Sequence, residues 1–280
     1  MTLLDLKDTL VFAQHLAKQA GELVANMRSE GGLEQNYKGG IELVTQADTA
    51  ADELISQAIA ARYPDHQILS EESNNDYSAI GKIEAPLWIV DPIDGTVNYA
   101  HGHQMVGISI GLAVAGEIVL GVVHNPFMKE TFFATKKGGA FLQQGDQPPA
   151  PIHCGQKDDL GRAIVATGFP YKKDNLPQLT ARVAGVLTQC ADIRRLGSAA
   201  LDLCWVACGR VDLYYEHYLN PWDMAAGFLI AREAGAVAGH IYAPPVDIPG
   251  DLWSRDALVA NGHLFEPMQR LLHQADDSIK

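Results

Sequence analysis

The 280-residue sequence is short of several things, and each shortage excludes something. It has only four cysteines, Cys154, Cys190, Cys204 and Cys208, too few and too scattered for a disulfide framework in a chain of this length, so a reducing cytoplasm is the expected setting. Cys204 and Cys208 stand four apart, as a metal pair could, but no C-x-x-C and no neighbouring histidine completes a set of four ligands. They read as buried packing residues. No apolar run is fit to cross a membrane: the most hydrophobic region, 106–123, is broken by Ser109, Glu117 and four glycines. The first turns carry Asp5, Lys7 and Asp8 without the cationic start, apolar stretch and small-residue site of an export signal. Basic side chains number 21 against 34 acidic, a net charge of −13. Such a field repels phosphate backbones and anionic lipid, so neither nucleic acid nor a membrane is the expected partner. It would repel a small anionic substrate as well, unless cations held at a carboxylate cluster reverse its sign locally.

What is present reads as one α/β body. Apolar spacing predicts a long amphipathic helix over residues 4–28 and a second behind Thr45-Gln46-Ala47-Asp48, a capping-box pattern. Gly31, Gly32, Gly39 and Gly40 leave a loop around Lys38 between them. Short strands follow at 67–70 and 87–90, then a hairpin in which Val106, Ile108, Ile110, Leu112 and Val114 alternate with smaller residues before the turn at Ala115-Gly116. Three prolines within 145–151 mark a linker, dividing halves 1–147 and 151–280 that pack as one domain, 1–280. Beyond it, strands are expected near 163–166, 193–196, 211–215 and 257–260. Helices are expected over 198–208, from Pro221 to about Glu233, and from about Phe265. Intermixed helices and strands make the fold α/β or α+β.

The chemistry concentrates in Trp88-Ile89-Val90-Asp91-Pro92-Ile93-Asp94-Gly95-Thr96-Val97-Asn98. A buried strand ends at Asp91, Pro92 fixes the chain direction, and two carboxylates three apart on a stiff turn can point at one spot. Oxygen donors of this kind, the Ile93 carbonyl included, suit a hard cation such as Mg²⁺. Gly95 lets an anion approach the backbone, and exposed N–H groups at a helix start bind phosphate. Read alone, the segment is equally a strand, a type I turn and an Asp-capped helix. Glu71-Glu72 after a strand, Asp223 at a helix start and Asp48 are, one at a time, a solvated pair and two caps. Taken together, they put five acids at the ends of elements.

These segments resemble the inositol monophosphatase family, its bacterial-type members in particular. The likeness rests on Asp91-Pro92-Ile93-Asp94-Gly95-Thr96-Val97-Asn98-Tyr99, on Trp222-Asp223-Met224-Ala225-Ala226-Gly227 followed by Glu233-Ala234-Gly235, on Val44 to Asp48, on Glu71-Glu72-Ser73, and on Gly197-Ser198-Ala199-Ala200. It covers about residues 38–261. Ser70 where glycine is usual, Tyr99 for a common Phe, and Ala236 for a Gly depart from the pattern without removing a ligand.

The resemblance implies the family's layered αβαβα sandwich, shared with fructose-1,6-bisphosphatase. It also implies a homodimer and a Mg²⁺-dependent, lithium-sensitive phosphoric monoester hydrolase acting by direct attack of water. Glu71, Asp91 and the Ile93 carbonyl would hold one metal, and Asp91, Asp94 and Asp223 a second; a third, weaker ion would lean on Glu71. Mn²⁺ would substitute, and Li⁺ or Ca²⁺ inhibit. Catalysis would fall to Asp48, Thr96 and Glu71, with Thr96 relaying to Asp48. Substrate contacts would come from Asp94, Gly95, Thr96, Ser198, Ala199, Glu216 and Asp223, with Lys38 nearby.

The expected substrate is myo-inositol monophosphate. The alternatives within the family are fructose 1,6-bisphosphate, histidinol phosphate and a 3′,5′-bisphosphate nucleotide, and the alternative of another class is a regulatory protein that binds protein or RNA. His101-Gly102-His103 looks like a metal pair without a third ligand. Lys172-Lys173 and Arg194-Arg195 could steady a second phosphate, but read more simply as solvated positions or dimer contacts.

Overall fold

The computed structural model describes residues 5–30, 35–38 and 42–279. Helix α1 (Leu6–Glu30) is followed by a hairpin, β1 (Gln35–Lys38) and β2 (Glu42–Thr45), and by α2 (Gln46–Arg62). Seven strands build the first large sheet: β3 (Gln67–Ser70), β4 (Leu87–Asp94), then, after the short α3 (Thr96–Ala100), β5 (Gly107–Val114), β6 (Glu117–Asn125), β7 (Glu130–Thr135), β8 (Gly139–Gln144) and β9 (Ala150–Pro151), paired in that order. The rest of the chain supplies β10 (Ile164–Thr167), α4 (Leu176–Leu187), β11 (Asp192–Arg194), α5 (Ala199–Ala207), β12 (Leu213–His217), α6 (Pro221–Glu233), β13 (Val237–His240), β14 (Asp256–Ala260) and α7 (Phe265–Asp277). Its five strands pair in the order β11-β10-β12-β14-β13.

The layers follow from which faces are apolar. Trp88, Val90, Ile108, Ile110, Leu120 and Val122 point to one side of the seven-stranded sheet and bury against Ala17, Ala20, Val24, Ile55 and Ile59 of α1 and α2. Helices α5 and α6 fill the space between the two sheets, and α4 and α7 cover the far face of the second through Val186, Met268 and Leu272. This is the αβαβα sandwich expected from the sequence. No helix among the described residues is long and apolar enough to cross a membrane.

The alternation in β5 is a pattern of size as well as of polarity. Its large residues face α1 and α2, whereas Gly107, Ser109 and Gly111 face α5 and α6. A Cβ on Gly111 would lie 3.2 Å from the Ala225 Cβ, and one on Gly121 of β6 would lie 2.7 Å from the Ala226 carbonyl oxygen. Small residues therefore let α6 lie close on the sheet, and the Ser109 hydroxyl ties down its first turn by donating to the Trp222 carbonyl at 3.2 Å. That approach brings Asp223 to the end of β4.

Four local expectations change. Lys38 ends a strand paired with Glu42 rather than sitting in a loop, while its side chain and residues 31–34 and 39–41, with the four glycines, lie outside the described residues. The proline-rich linker is cut short, because Ala150 and Pro151 pair with β8 as an edge strand. Strand β4 runs on to Asp94, with a register shift against β5 between Asp91 and Asp94. Helix α4, strand β13 and the hairpin β7–β8 are additional elements.

Candidate active site

The acids arrive from the ends of elements, and each is pinned by its own backbone surroundings. Asp48, in the first turn of α2, accepts from the Thr45 backbone N–H at 2.8 Å and the Thr45 hydroxyl at 2.7 Å with Oδ2. Its Oδ1 accepts from the Thr96 hydroxyl at 3.0 Å. One carboxylate thus caps a helix and reaches across the fold. Asp91 Oδ1 accepts from the Ile93 N–H at 3.0 Å across the Pro92 turn. Asp94 Oδ2 accepts from the Ser198 hydroxyl at 2.6 Å and the Ala200 N–H at 2.7 Å, so the start of α5 from the other half of the chain fixes it. Asp223 Oδ2 closes the capping box of α6 on the Asn220 N–H at 2.7 Å.

Oxygens of Asp91, Asp94 and Asp223 all lie within 4.8 Å of one another. Glu71 lies beside them at the end of β3, and all four line a cavity of about 470 Å³. Crowding has the expected electrical consequence. Burial, then the charges of Glu71, Asp94 and Asp223, push the Asp91 carboxyl well above its ordinary range. Burial raises Asp94 to about 6, against the opposing hydrogen bonds from Ser198, Ala200 and Ala199. Burial also raises Asp48. A set of oxygen donors whose charges resist one another this strongly is chemically suited to a hard divalent cation, which would neutralise them.

Gly95 joins these acids to the helix start behind them. Its φ is +97°, and a Cβ there would stand 2.8 Å from the Met105 carbonyl oxygen and 3.1 Å from that of Gly197, so only glycine fits. Thr96 begins α3, and its hydroxyl lies 3.2 Å from the Ile93 carbonyl as well as on Asp48. Ser198 caps α5, with Leu201 N–H 3.4 Å from its Oγ. Glu216, at the end of β12, also lines the cavity, accepts from the Tyr214 hydroxyl at 2.6 Å, and is driven up to about 7 by burial.

The structure gathers Glu71, Asp91, Ile93, Asp94, Gly95, Thr96, Ser198, Ala199, Glu216 and Asp223 around one cavity, with Asp48 behind Thr96. Other candidates fall apart. His101 and His103 are exposed, and among the described residues Asp91, Asp94 and Asp223 form the sole His/Cys/Asp/Glu group close enough for a metal. The basic pairs divide: Arg194 pairs with Asp192 at 2.5 Å and Lys173 Nζ donates to the Pro170 carbonyl at 2.5 Å, while Lys172 and Arg195 line the cavity. All four cysteines are free thiols.

Several supports escaped the sequence reading. The Asn98 amide donates to the Met105 and Leu196 carbonyls, each at 2.8 Å, stapling the two halves beside Gly95. The Ser70 hydroxyl donates to buried Asp52, one turn beyond Asp48 on α2, tying the strand that carries Glu71 to the helix that carries Asp48. Gly168 packs against the Glu216 carboxylate so closely that any Cβ would collide with it. Asn98 and Ser70 stood inside recognisable motifs, whereas nothing in the sequence marks Gly168.

The chain is similar to known proteins over most of its length. The profile of the Inositol monophosphatase family matches residues 5–278. An inositol monophosphatase of Mesembryanthemum crystallinum is 40% identical over 237 residues, 83% of this chain and 85% of that one. The Nus factor SuhB of Pasteurella multocida is 38% identical over 240 residues, 83% and 87% of the two chains. The solved inositol monophosphatase of Anabaena superposes with a TM-score of 0.81 at 32% identity, over 97% of each chain.

Proposed function

The chain belongs to the inositol monophosphatase family, a family of metal-dependent phosphatases, and from that premise we propose that it hydrolyses inositol monophosphate or a closely related polyol phosphate with Mg²⁺ at the carboxylate cluster. The observation that carries this reading is the convergence of Asp91, Asp94 and Asp223 within 4.8 Å on the wall of a cavity that Glu216 also lines. Glu71, Asp91, the Ile93 carbonyl, Asp94 and Asp223 would hold two ions, with a third leaning on Glu71. When bound, these ions would supply Lewis acidity, which lowers the pKa of water and offsets charge on the phosphate.

The rest belongs to the chain's own groups. The Thr96 hydroxyl, donating to Asp48, orients the attacking water and takes its proton as Thr96 passes its own to Asp48. Burial raises Asp48, which strengthens it as an acceptor for that proton. Gly95 and Thr96 present their N–H groups to phosphate oxygens at the start of α3, where developing charge is stabilised. Ser198 and Ala200 hold Asp94 in place, and Glu216 and the Ala199 backbone meet the hydroxyls of the alcohol. With a carboxyl near 7, it can both donate to and accept from those hydroxyls at neutral pH. Lys38 is placed near the metals on resemblance alone.

We read the chain as one domain of two halves, working as a cytoplasmic homodimer. The scarcity of cysteine supports the compartment, and sedimentation tests the dimer. A relative named as a Nus factor lends support to a regulatory role beside catalysis. Against a large RNA surface stands the net charge of −13.

Phosphate release from inositol 1-phosphate, fructose 1,6-bisphosphate, histidinol phosphate and adenosine 3′,5′-bisphosphate, each with and without Mg²⁺, tests the reading. It predicts Mg²⁺-dependent turnover with at least about a tenfold preference for inositol 1-phosphate, near 1.4 kcal/mol. A smaller preference would move the substrate elsewhere in the family.

A further inference from the structure

Tyr218 occupies a backbone position that suits glycine. It follows Glu216 and His217 at the end of β12 with φ of 65°, in the left-handed region that strains a residue with a bulky side chain. Such strain persists where the surroundings impose it, and it gathers at ligand sites. Here the surroundings are firm. The Tyr218 N–H donates to the Arg255 carbonyl at 2.7 Å, its ring centroid lies 3.8 Å from that of His217, and the Arg255 guanidinium carbon stands 5.5 Å from the ring.

A chain of polar side chains holds this corner from behind. His217 Nδ1 meets Asp256 Oδ1 at 2.5 Å, and the same oxygen lies 3.7 Å from Arg182 Nη1. Arg182, fully buried on α4, holds Asp276 of α7 through two bonds of 2.7 and 2.6 Å. The end of β12 is therefore anchored to two helices on the far side of its sheet.

The Tyr218 ring itself contributes little to any core. It is 43% exposed and, with Arg255, lines the same cavity as Glu216 and the acidic cluster. A strained, anchored, half-exposed aromatic at the wall of a catalytic cavity is a recognition element rather than a packing element. We propose that Tyr218 is a specificity-determining residue whose ring, with Arg255 beside it, contacts the alcohol half of the phosphate ester and favours a cyclic polyol over a short open-chain alcohol. This rests on the polyol-phosphatase reading above. The physical reason is reach: a six-membered polyol offers a broad C–H surface and several hydroxyls to a phenol ring and a guanidinium, while a three-carbon alcohol fills only the part of the cavity next to the phosphate.

The test compares kcat and KM on inositol 1-phosphate and glycerol 2-phosphate, at saturating Mg²⁺, for the parent, Tyr218→Gly and Tyr218→Phe. Glycine suits φ of 65°, so Tyr218→Gly is expected to melt no lower than the parent. It should lose about tenfold in kcat/KM on the cyclic ester through KM, with glycerol 2-phosphate changed less than about threefold. Tyr218→Phe, which keeps the ring, should stay within about threefold of the parent on both esters. Equal losses on both esters, or an unchanged selectivity ratio in Tyr218→Gly, would overturn the proposal and leave Tyr218 a structural role. Turnover of glycerol 2-phosphate by the parent reports on the phosphatase reading independently.

Discussion

On the seven-stranded side of the cavity, Glu71 follows β3 while Asp91 and Asp94 lie in the last part of the adjacent β4 and Thr96 just past it, all buried or half-buried, with the Asp91 and Asp94 carboxylates accepting from backbone N–H groups and the Thr96 hydroxyl donating to the Ile93 carbonyl. On the five-stranded side, Glu216, Tyr218, Lys172, Arg195 and Arg255 line the wall, most of them exposed and of mixed charge. The first side concentrates negative charge that bound divalent cations would relieve, as metal-assisted phosphate chemistry requires. The second carries rings and donors suited to reading an alcohol. Asp223 crosses the division: it comes from the second half of the chain, but α6 lies on the seven-stranded sheet because Gly111 and Gly121 let it approach. On the proposed reading, chemistry and recognition are built on different sheets and can be changed separately.

The most severe test of that separation is Asp94→Asn, which removes one buried charge while Ser198 and Ala200 can still bond the side chain. Turnover with Mg²⁺ should fall by about 1000-fold or more, beyond the loss expected for a residue that merely supports a ligand, while the melting temperature stays within a few degrees. Retained turnover would break the assignment. Thr96→Val keeps shape and removes the hydroxyl on Asp48; kcat should drop about 100-fold with KM little changed, the pattern of a lost proton-transfer group. Steady-state kinetics check both.

Glu216→Gln sharpens the contrast from the recognition side. KM for a polyol phosphate should rise about tenfold with kcat nearly unchanged, since the contact is made in ground and transition states alike. A fall in kcat instead would place Glu216 with the chemistry.

The same variant carries the smallest expected effect, on stability. The folded pKa of Glu216, about 7, lies above its ordinary 4.5. Below pH 4.5 both folded and unfolded chains hold the proton. As pH rises toward 7 the unfolded chain releases it while the folded one retains it, so this group's contribution to stability falls across that window and stays low above it. Metal-free parent should thus lose about 1–3 kcal/mol between about pH 4.5 and 8 that Glu216→Gln does not lose, read from urea denaturation at each pH.

The two sides also differ in how far the sequence disclosed them. The Asp91-to-Asn98 segment was legible because strand burial, a proline and a glycine that admits no Cβ force one local geometry, and Asp223 because proline at a helix start fixes where its turn lies. Reading Asp48 as a cap was correct as far as it went: Oδ2 caps the helix while Oδ1 serves Thr96, and spacing alone cannot show that one carboxylate does both. The left-handed backbone of Tyr218, the clamp of Gly168 on Glu216 and the Ser70 to Asp52 tie are products of tertiary packing and leave no periodic trace. Helix α4 was obscured by Pro177 and Gly185, which look like breakers until α7 packs against it. The loop expected around Lys38 rested on flanking glycines, whereas pairing with β2 decided the backbone.

The central claim is that carboxylates from separate segments share a divalent cation, and calorimetric titration of metal-free protein with Mg²⁺, parent beside Asp91→Asn and Asp223→Asn, tests it most directly. The account predicts saturable binding by the parent that weakens by at least about tenfold in each variant while both remain folded. Equal binding by all three proteins would contradict it.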